Sequence, residues 1–471
     1  MFERRDVWVL SANDPWDPIL TWYARAVQEL RTRLISDPTS WGYLAAMHGT
    51  DQATGTWPKD APWNACQHNS WYFLPWHRMY LHYFETVVRQ TIIQLGGPAD
   101  WALPYWDYSD TTRLSVLTLP TAFREPSLPS GDVNPLFVSE RAKGINAGGT
   151  MPKPVVSVTA AMNEVDFSNQ NNQGLVGFGG PITGWNHDAP GGMGALELRP
   201  HGTVHMAVGG TTGWMSHFNT AALDPIFWLH HANIDRLWEA WLRQGVGRAN
   251  PTKPAWLNMQ FTFGSGPSLL TMSVADVRDA SAAPLSYQYT DLNVAALAPL
   301  TAGALPHASN FDGPHNMLME LVGASEQGVP LTNTASSVVV PLNAPASPGL
   351  LQQAPQTVQL KIENVRGSEL AAANYLVHVN MPAGAPDEEQ QAYEAGVVTM
   401  FGVRETSRVD DQHSGSGLTV VLDITDLARR LQQADNWNAQ RLHVTFTPLQ
   451  PDERGGNVTV GRVSVLFGGR V

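Results

Sequence analysis

The chain has a single cysteine, Cys66, in 471 residues. No disulfide can therefore form within it, and its stability must come from a packed core. Basic residues are also in short supply, with 29 Lys and Arg against 42 Asp and Glu. The resulting net charge of −13 argues against nucleic acid or an anionic membrane as a partner. No uninterrupted apolar run approaches the roughly 20 residues of a membrane span. The opening "MFERRDVWVL" has charges but no apolar stretch behind them, so no secretory signal is read and a cytoplasmic location is favoured. HExxH and Glu-x-x-His are both missing, which excludes the zincin and di-iron carboxylate patterns. There is no tandem repeat of solenoid length.

What is present is apolar and aromatic. Hydrophobic residues make up 43% of the chain, enough for a substantial core, and this length predicts two domains. Up to about residue 260 the pattern is helical. "ILTWYARAVQELRTRL", "SWYFLPWHRMYLHYFETVVRQTIIQL" and "DPIFWLHHANIDRLWEAWLRQG" carry apolar residues at helical spacing. Pro75 is tolerable only in the first turns of the second. A Gly/Pro/Asn-rich stretch from about 110 to 194 reads as ordered loop. After an Ala/Pro-rich linker, short β-branched alternating runs such as "VQLKIENV", "LTVVLDI" and "VTVGRVSVLF" predict a β-sandwich. The expected organisation is α + β in two domains. A mainly helical domain, 1–292, holds a four-helix bundle; a linker spans 293–316; a sandwich spans 317–471.

Ten of the fifteen histidines precede residue 232. His201 and His205 are four apart, which on a helix puts both rings on one face. His230 and His231 lie about 100° apart around a helix, so only one can face a shared centre. Overlaying "FLPWHRMYLHYFE" on "FWLHHANIDRLWE" matches His77 with His231 and selects His231. His68 and His77, nine apart, fall on opposite sides of one helix, so His68 must sit in the loop before it, beside Cys66. His48 is the one histidine upstream of His68. The count becomes three and three: His48, His68 and His77 with His201, His205 and His231. All-imidazole ligation suits copper or zinc, and three ligands leave a coordination position open.

"HNSWYFLPWHRMYLHYFE", "PHGTVHMAVGG" and "LDPIFWLHHANIDRLWEAW" resemble the two copper signatures of the tyrosinase, catechol oxidase and haemocyanin superfamily. "YQY" (Tyr287 to Tyr289) resembles the tyrosine motif that closes the family's catalytic domain, with Arg4 or Arg5 as its partner. The resemblance implies a type-3 site of two copper ions, with O2 as co-substrate, that oxidises a small phenol or catechol to an o-quinone. The six histidines fall on the family's ligand positions. It further implies a thioether between Cys66 and His68, which would lock a loop histidine. It implies a glutamate, Glu197, holding a water near the coppers, and a gate residue over the second copper, Phe218. Active monophenolases of the family often carry asparagine where this chain has Gly202, so o-diphenol oxidation is favoured. Asn233, Asp235 and Arg236 are expected to orient His231. The strand-rich region resembles the β-domain that covers the site in plant-type and molluscan relatives, which implies a latent enzyme with an intramolecular shield. The alternative is a haemocyanin-like reversible O2 carrier.

Overall fold

The computed structural model describes residues 1–51, 57–168, 176–184, 192–245, 247–294, 317–345, 355–409 and 414–470. Nearly all of the expected linker, from 295 to 316, lies outside the described residues.

Four helices form the bundle: α1 (Pro18–Thr32), α2 (Phe73–Gln94), α3 (Thr203–Gly209) and α4 (Ile226–Arg243). Asp17 caps α1 by accepting from the Ile19 N–H at 2.8 Å, and Pro18 at its first position needs no donor. Pro75 sits in the first turn of α2, where its missing N–H breaks no helical bond. Helices α2 and α4 run antiparallel through the centre, since Phe84 stacks on Trp228 with centroids 3.5 Å apart while Arg78 meets Asp235. A further short helix, Trp41–His48, is capped by Ser40 and ends on a histidine.

The N-terminus is tied to the far end of the helical half. Phe2–Arg4 pairs in parallel with Tyr287–Tyr289, Arg4 opposite Tyr289. The pairing turns Arg4 inward and leaves Arg5 exposed. Arg4 donates to Glu85 and to the Tyr289 hydroxyl. Asp235 accepts from Arg78, Tyr287 and Tyr289, each at 2.5 Å. Burial alone would raise the Asp235 carboxyl, but Arg78 and Arg4 hold it below the usual carboxylate range. A buried charge cluster of this kind persists only because every member is paired.

The C-terminal half is a sandwich of two antiparallel sheets. One orders Glu394–Thr399, Ala372–Val379, Arg441–Pro451 and Ser336–Pro341. The other orders Leu418–Asp423, Thr357–Gly367, Val458–Arg470 and Met317–Ala324, with Val329–Leu331 also on Val458–Arg470. In Ala372–Val379 the side chains of Tyr375, Val377 and Val379 enter the sandwich core. By the two-residue period of a strand, Asn374, Leu376 and His378 face the other way. That face lies on the helical half, where Asn374 donates to the Thr203 carbonyl at 3.1 Å. Further ties are Arg404 to the Thr211 carbonyl and Arg199 to Glu394 at 3.5 Å. Met193, Leu198, Met206 and Phe218 of the helical half bury into the sandwich's own apolar cluster.

Candidate metal centre

Seven buried histidines converge between α2, α3, α4 and the segment before α2. His48, at the end of Trp41–His48, His68 in the loop and His77 in α2 form one triangle with ring centroids 5.4 to 5.7 Å apart. The loop position of His68 is the one that the nine-residue spacing required. It is held by Asn69, whose φ of 52° is a left-handed conformation that asparagine tolerates. His201, His205 and His231 form a second triangle, at 4.7, 5.0 and 5.4 Å. The two triangles touch where His77 and His231 stack at 4.5 Å and 12°, the pair that the overlay of the two segments matched.

Backbone carbonyls set the tautomers. The Nδ1–H groups of His48, His77, His201 and His205 reach the carbonyls of Phe218, Phe73, Glu197 and Met215 at 3.0, 2.8, 3.2 and 2.7 Å. Donation from Nδ1 leaves Nε2 as a lone pair aimed at the centre. Gly49 makes the first of these bonds possible, since a Cβ there would meet the Phe218 carbonyl oxygen at 2.4 Å. The Nε2 atoms of His77 and His201 are buried with no hydrogen-bond partner among the described residues. Those of His205 and His231 face each other at 3.2 Å. Burial and the neighbouring imidazoles hold His77, His201, His205 and His231 well below the ordinary histidine range, so all four are neutral. Converging neutral imidazole lone pairs in a buried site fit a copper pair.

His230 also lies within ligand distance of His201, His205 and His231. The Tyr108 hydroxyl occupies its Nδ1 at 3.0 Å, and its ring stacks on His201 rather than reaching the first triangle. Cys66 is buried, its sulfur within 4.8 Å of ring nitrogens of both His48 and His68.

Around the triangles the expected positions separate. Both Glu197 carboxylate oxygens accept from the Asn69 N–H, at 2.8 and 3.0 Å, while Arg199 pairs with Glu394 instead. Burial pushes the Glu197 carboxyl up to about 8. Phe218 requires a correction. It was expected over the second metal position, yet its ring stacks on His68 at 4.3 Å and meets His48 edge-on. The short helix Phe218–Ala221 directs it to the first triangle. Asn233, Asp235 and Arg236 act on the scaffold: Arg236 bridges Asn233 and Asp107, and Asp235 holds Arg4 and Arg78.

Sequence reasoning missed Phe401. It follows strand Glu394–Thr399 in the sandwich and projects onto the histidines. Its ring stacks on His205 at 4.3 Å and 19°, and lies 4.7 Å from Phe218 and 5.4 Å from His201. Gly402, at φ +81°, turns the chain back so tightly that a Cβ there would meet the Phe218 ring at 3.2 Å.

Comparison with known proteins places this site. The family model described as the common central domain of tyrosinase matches residues 38–244. Tyrosinase HcTyr1 of Hahella sp. (strain CCB-MM4) is 35% identical over 496 residues, covering 99% of both chains. The chain belongs to the tyrosinase family. It is accordingly a type-3 dicopper oxidoreductase that uses O2. The chloroplastic polyphenol oxidase of Malus domestica is 29% identical over 58% of this chain and 46% of its own length. Latent apple tyrosinase shares the fold, with a TM-score of 0.63 at 22% identity, covering 100% of this chain and 97% of that one. Residues 318–467 match a domain of unknown function (DUF7868).

Proposed function

We propose that this tyrosinase-family chain is a latent o-diphenol oxidase. His48, His68 and His77 hold one copper, His201, His205 and His231 hold the other, and the C-terminal sandwich shields both. The stack of Phe401 on His205 carries the reading. A flat ring from another domain occupies the face against which a phenol would lie, so access requires that domain to move. Copper supplies the redox chemistry with O2; the protein's own groups orient the phenol and exclude bulk water. Oxygen uptake by the protease-opened protein, with matched monophenols and o-diphenols, tests the assignment. Uptake with neither class would overturn it.

The carboxyl of Glu197 stands one turn before His201, and its proposed work is to hold a water that takes the proton of an incoming phenol. Gly202 bears on this twice. It offers no amide to that water, and a Cβ there would meet Thr399 of the sandwich at 2.9 Å. In the intact chain Gly202→Asn therefore also loosens the shield. After proteolytic opening of both proteins, Gly202→Asn is expected to raise the monophenol-to-diphenol rate ratio about tenfold, modest beside the 10²–10⁴ of a positioned base. An unchanged ratio in folded, copper-replete variant would reject the water model.

Acid should open the shield through His217. Its ring accepts from Arg404 at 2.9 Å across the seam. Burial, then Arg404 and Arg408, push it down to about 4. A depressed histidine stabilises the closed form fully above its ordinary value near 6.5 and progressively less as pH falls from there to about 4. Latent activity should therefore rise over that window, and His217→Gln should flatten the rise. An identical activation profile in the variant would remove His217 from the account.

Cys66 is expected to join His68 by a thioether. A C–S bond replaces one C–H and the S–H, with O2 taking up the two hydrogens as H2O2; copper held by His48, His68 and His77 would supply the electron transfer. Peptide mass analysis of copper-loaded, aerobically turned-over protein should find this segment lighter by two hydrogens. A Cys66 that remains fully alkylatable in active protein would disprove the link.

A further inference from the structure

The seam between the two halves contains a cleft of about 470 Å³ away from the histidines, within the size range of small-molecule sites. One wall, from the helical half, presents Lys153, Ser157 and Thr159; the other, from the sandwich, presents His378, Asp387 and Gln390. His378 is fully buried on the strand face turned toward the helical half, and neither of its ring nitrogens meets a partner among the described residues. A neutral imidazole needs one donor and one acceptor, and leaving both unmet in a buried site is costly. Glu394, directly opposite His378 in the sheet register, is already taken by Arg199.

We propose that this cleft binds a neutral, hydroxyl-rich ligand of the sugar or polyol class. Of the charges that line it, Lys153 offsets Asp387 and Glu394 is already paired with Arg199 behind the wall, which leaves little net attraction to an anion or a cation. Among the described residues no Phe, Tyr or Trp lines the cleft, so it offers a phenol or quinone no benzene-type ring to stack on and is not a second substrate site. Hydroxyl groups both donate and accept, which is what His378 and the Ser157 and Thr159 hydroxyls require together. Because the two walls belong to different halves, a bound ligand bridges them and favours the closed arrangement. A ligand at 100 times its Kd lowers the open population about 100-fold by mass action. This last consequence rests on the latency reading; the binding itself does not.

The test is calorimetric titration of the intact, copper-loaded chain with glucose, sucrose, glycerol and inorganic phosphate. Glucose and sucrose distinguish a single ring from a linked pair. Saturable binding of at least one sugar is expected, weakened roughly tenfold or more in His378→Leu. The variants Lys153→Met and Thr159→Val, at exposed positions of the helical wall, should weaken it as well. Phosphate binding without sugar binding would overturn the ligand class. Sugar affinity unchanged in all three variants would overturn the location, and no saturable binding of glucose, sucrose or glycerol would overturn the proposal. Where binding is found, basal catechol oxidation should fall as the site fills; binding without that fall counts against latency and leaves the site standing.

Discussion

His231→Ala should lose at least the second copper and with it all measurable catechol oxidation, even after the shield is removed. Loss of a group that merely orients a ligand costs 10–100-fold in metal affinity, and losing the ligand itself should cost more. His231 is also the ring through which the two triangles touch, stacked on His77 and edge-on to His201 and His205. The neighbour provides the control. His230 is as buried as His231 and as close to His201 and His205, so proximity alone does not separate them. What separates them is placement: His231 stacks on His77 of the other triangle with its Nε2 facing that of His205, whereas His230 lies against His201 and is tied back to Tyr108. His230→Gln, which can still meet Tyr108, should keep both coppers and most of the activity. Metal analysis of the two purified variants decides the matter. Two coppers per chain in His231→Ala, or none in His230→Gln, would reverse the assignment.

The histidine cluster was legible because helical periodicity is local. The four-residue spacing of His201 and His205, and the repeated "F-x-x-x-H" of the two segments, place rings on faces without knowledge of the fold. The loop placement of His68 followed by elimination, because nine residues put it on the wrong side of a continuous helix. The choice between Arg4 and Arg5 was open for the opposite reason. Strand alternation turns one of them inward, but which one depends on the register with Tyr287–Tyr289, set more than 280 residues away. Glu85 ends one overlaid segment opposite Glu239 in the other, yet its work is to hold Arg4 at 2.6 Å, a partner that no spacing indicates. Phe218 was assigned to the wrong triangle because its distance in sequence from His231 says nothing about the turn at His217 that swings its carbonyl to His48. Phe401 carried no local signal. Several loops between the strands have apolar tips, and only the packing of the Ala372–Val379 face onto the helical half brings this one over His205.

Phe401→Ala should turn the intact protein from slow to fast without cleavage. The ring is fully buried, and its contacts divide between the histidines and Phe218 on one side and the sandwich's apolar cluster on the other. Deleting a buried phenylalanine costs about 3–5 kcal/mol. If only the share that spans the seam, about 1.4–2.8 kcal/mol, falls on the closed arrangement, the open population rises about 10–100-fold. Removal also vacates the face of His205, so a catechol can enter even while the sandwich stays docked by Asn374 and Arg404. Catechol oxidation by the intact variant should therefore rise about 10–100-fold with copper content unchanged. Proteolysis in the Ala/Pro-rich segment 295–316, outside the described residues, should then add little further. Val403→Ala distinguishes the plug from general loosening, because Val403 is buried in the same apolar cluster and has no ring to lay on a histidine. Equal activation in both variants would assign latency to the docking of the whole domain. No activation in Phe401→Ala, with copper retained and the fold intact, would mean that the ring over His205 does not govern access, and the latent reading would fail with it.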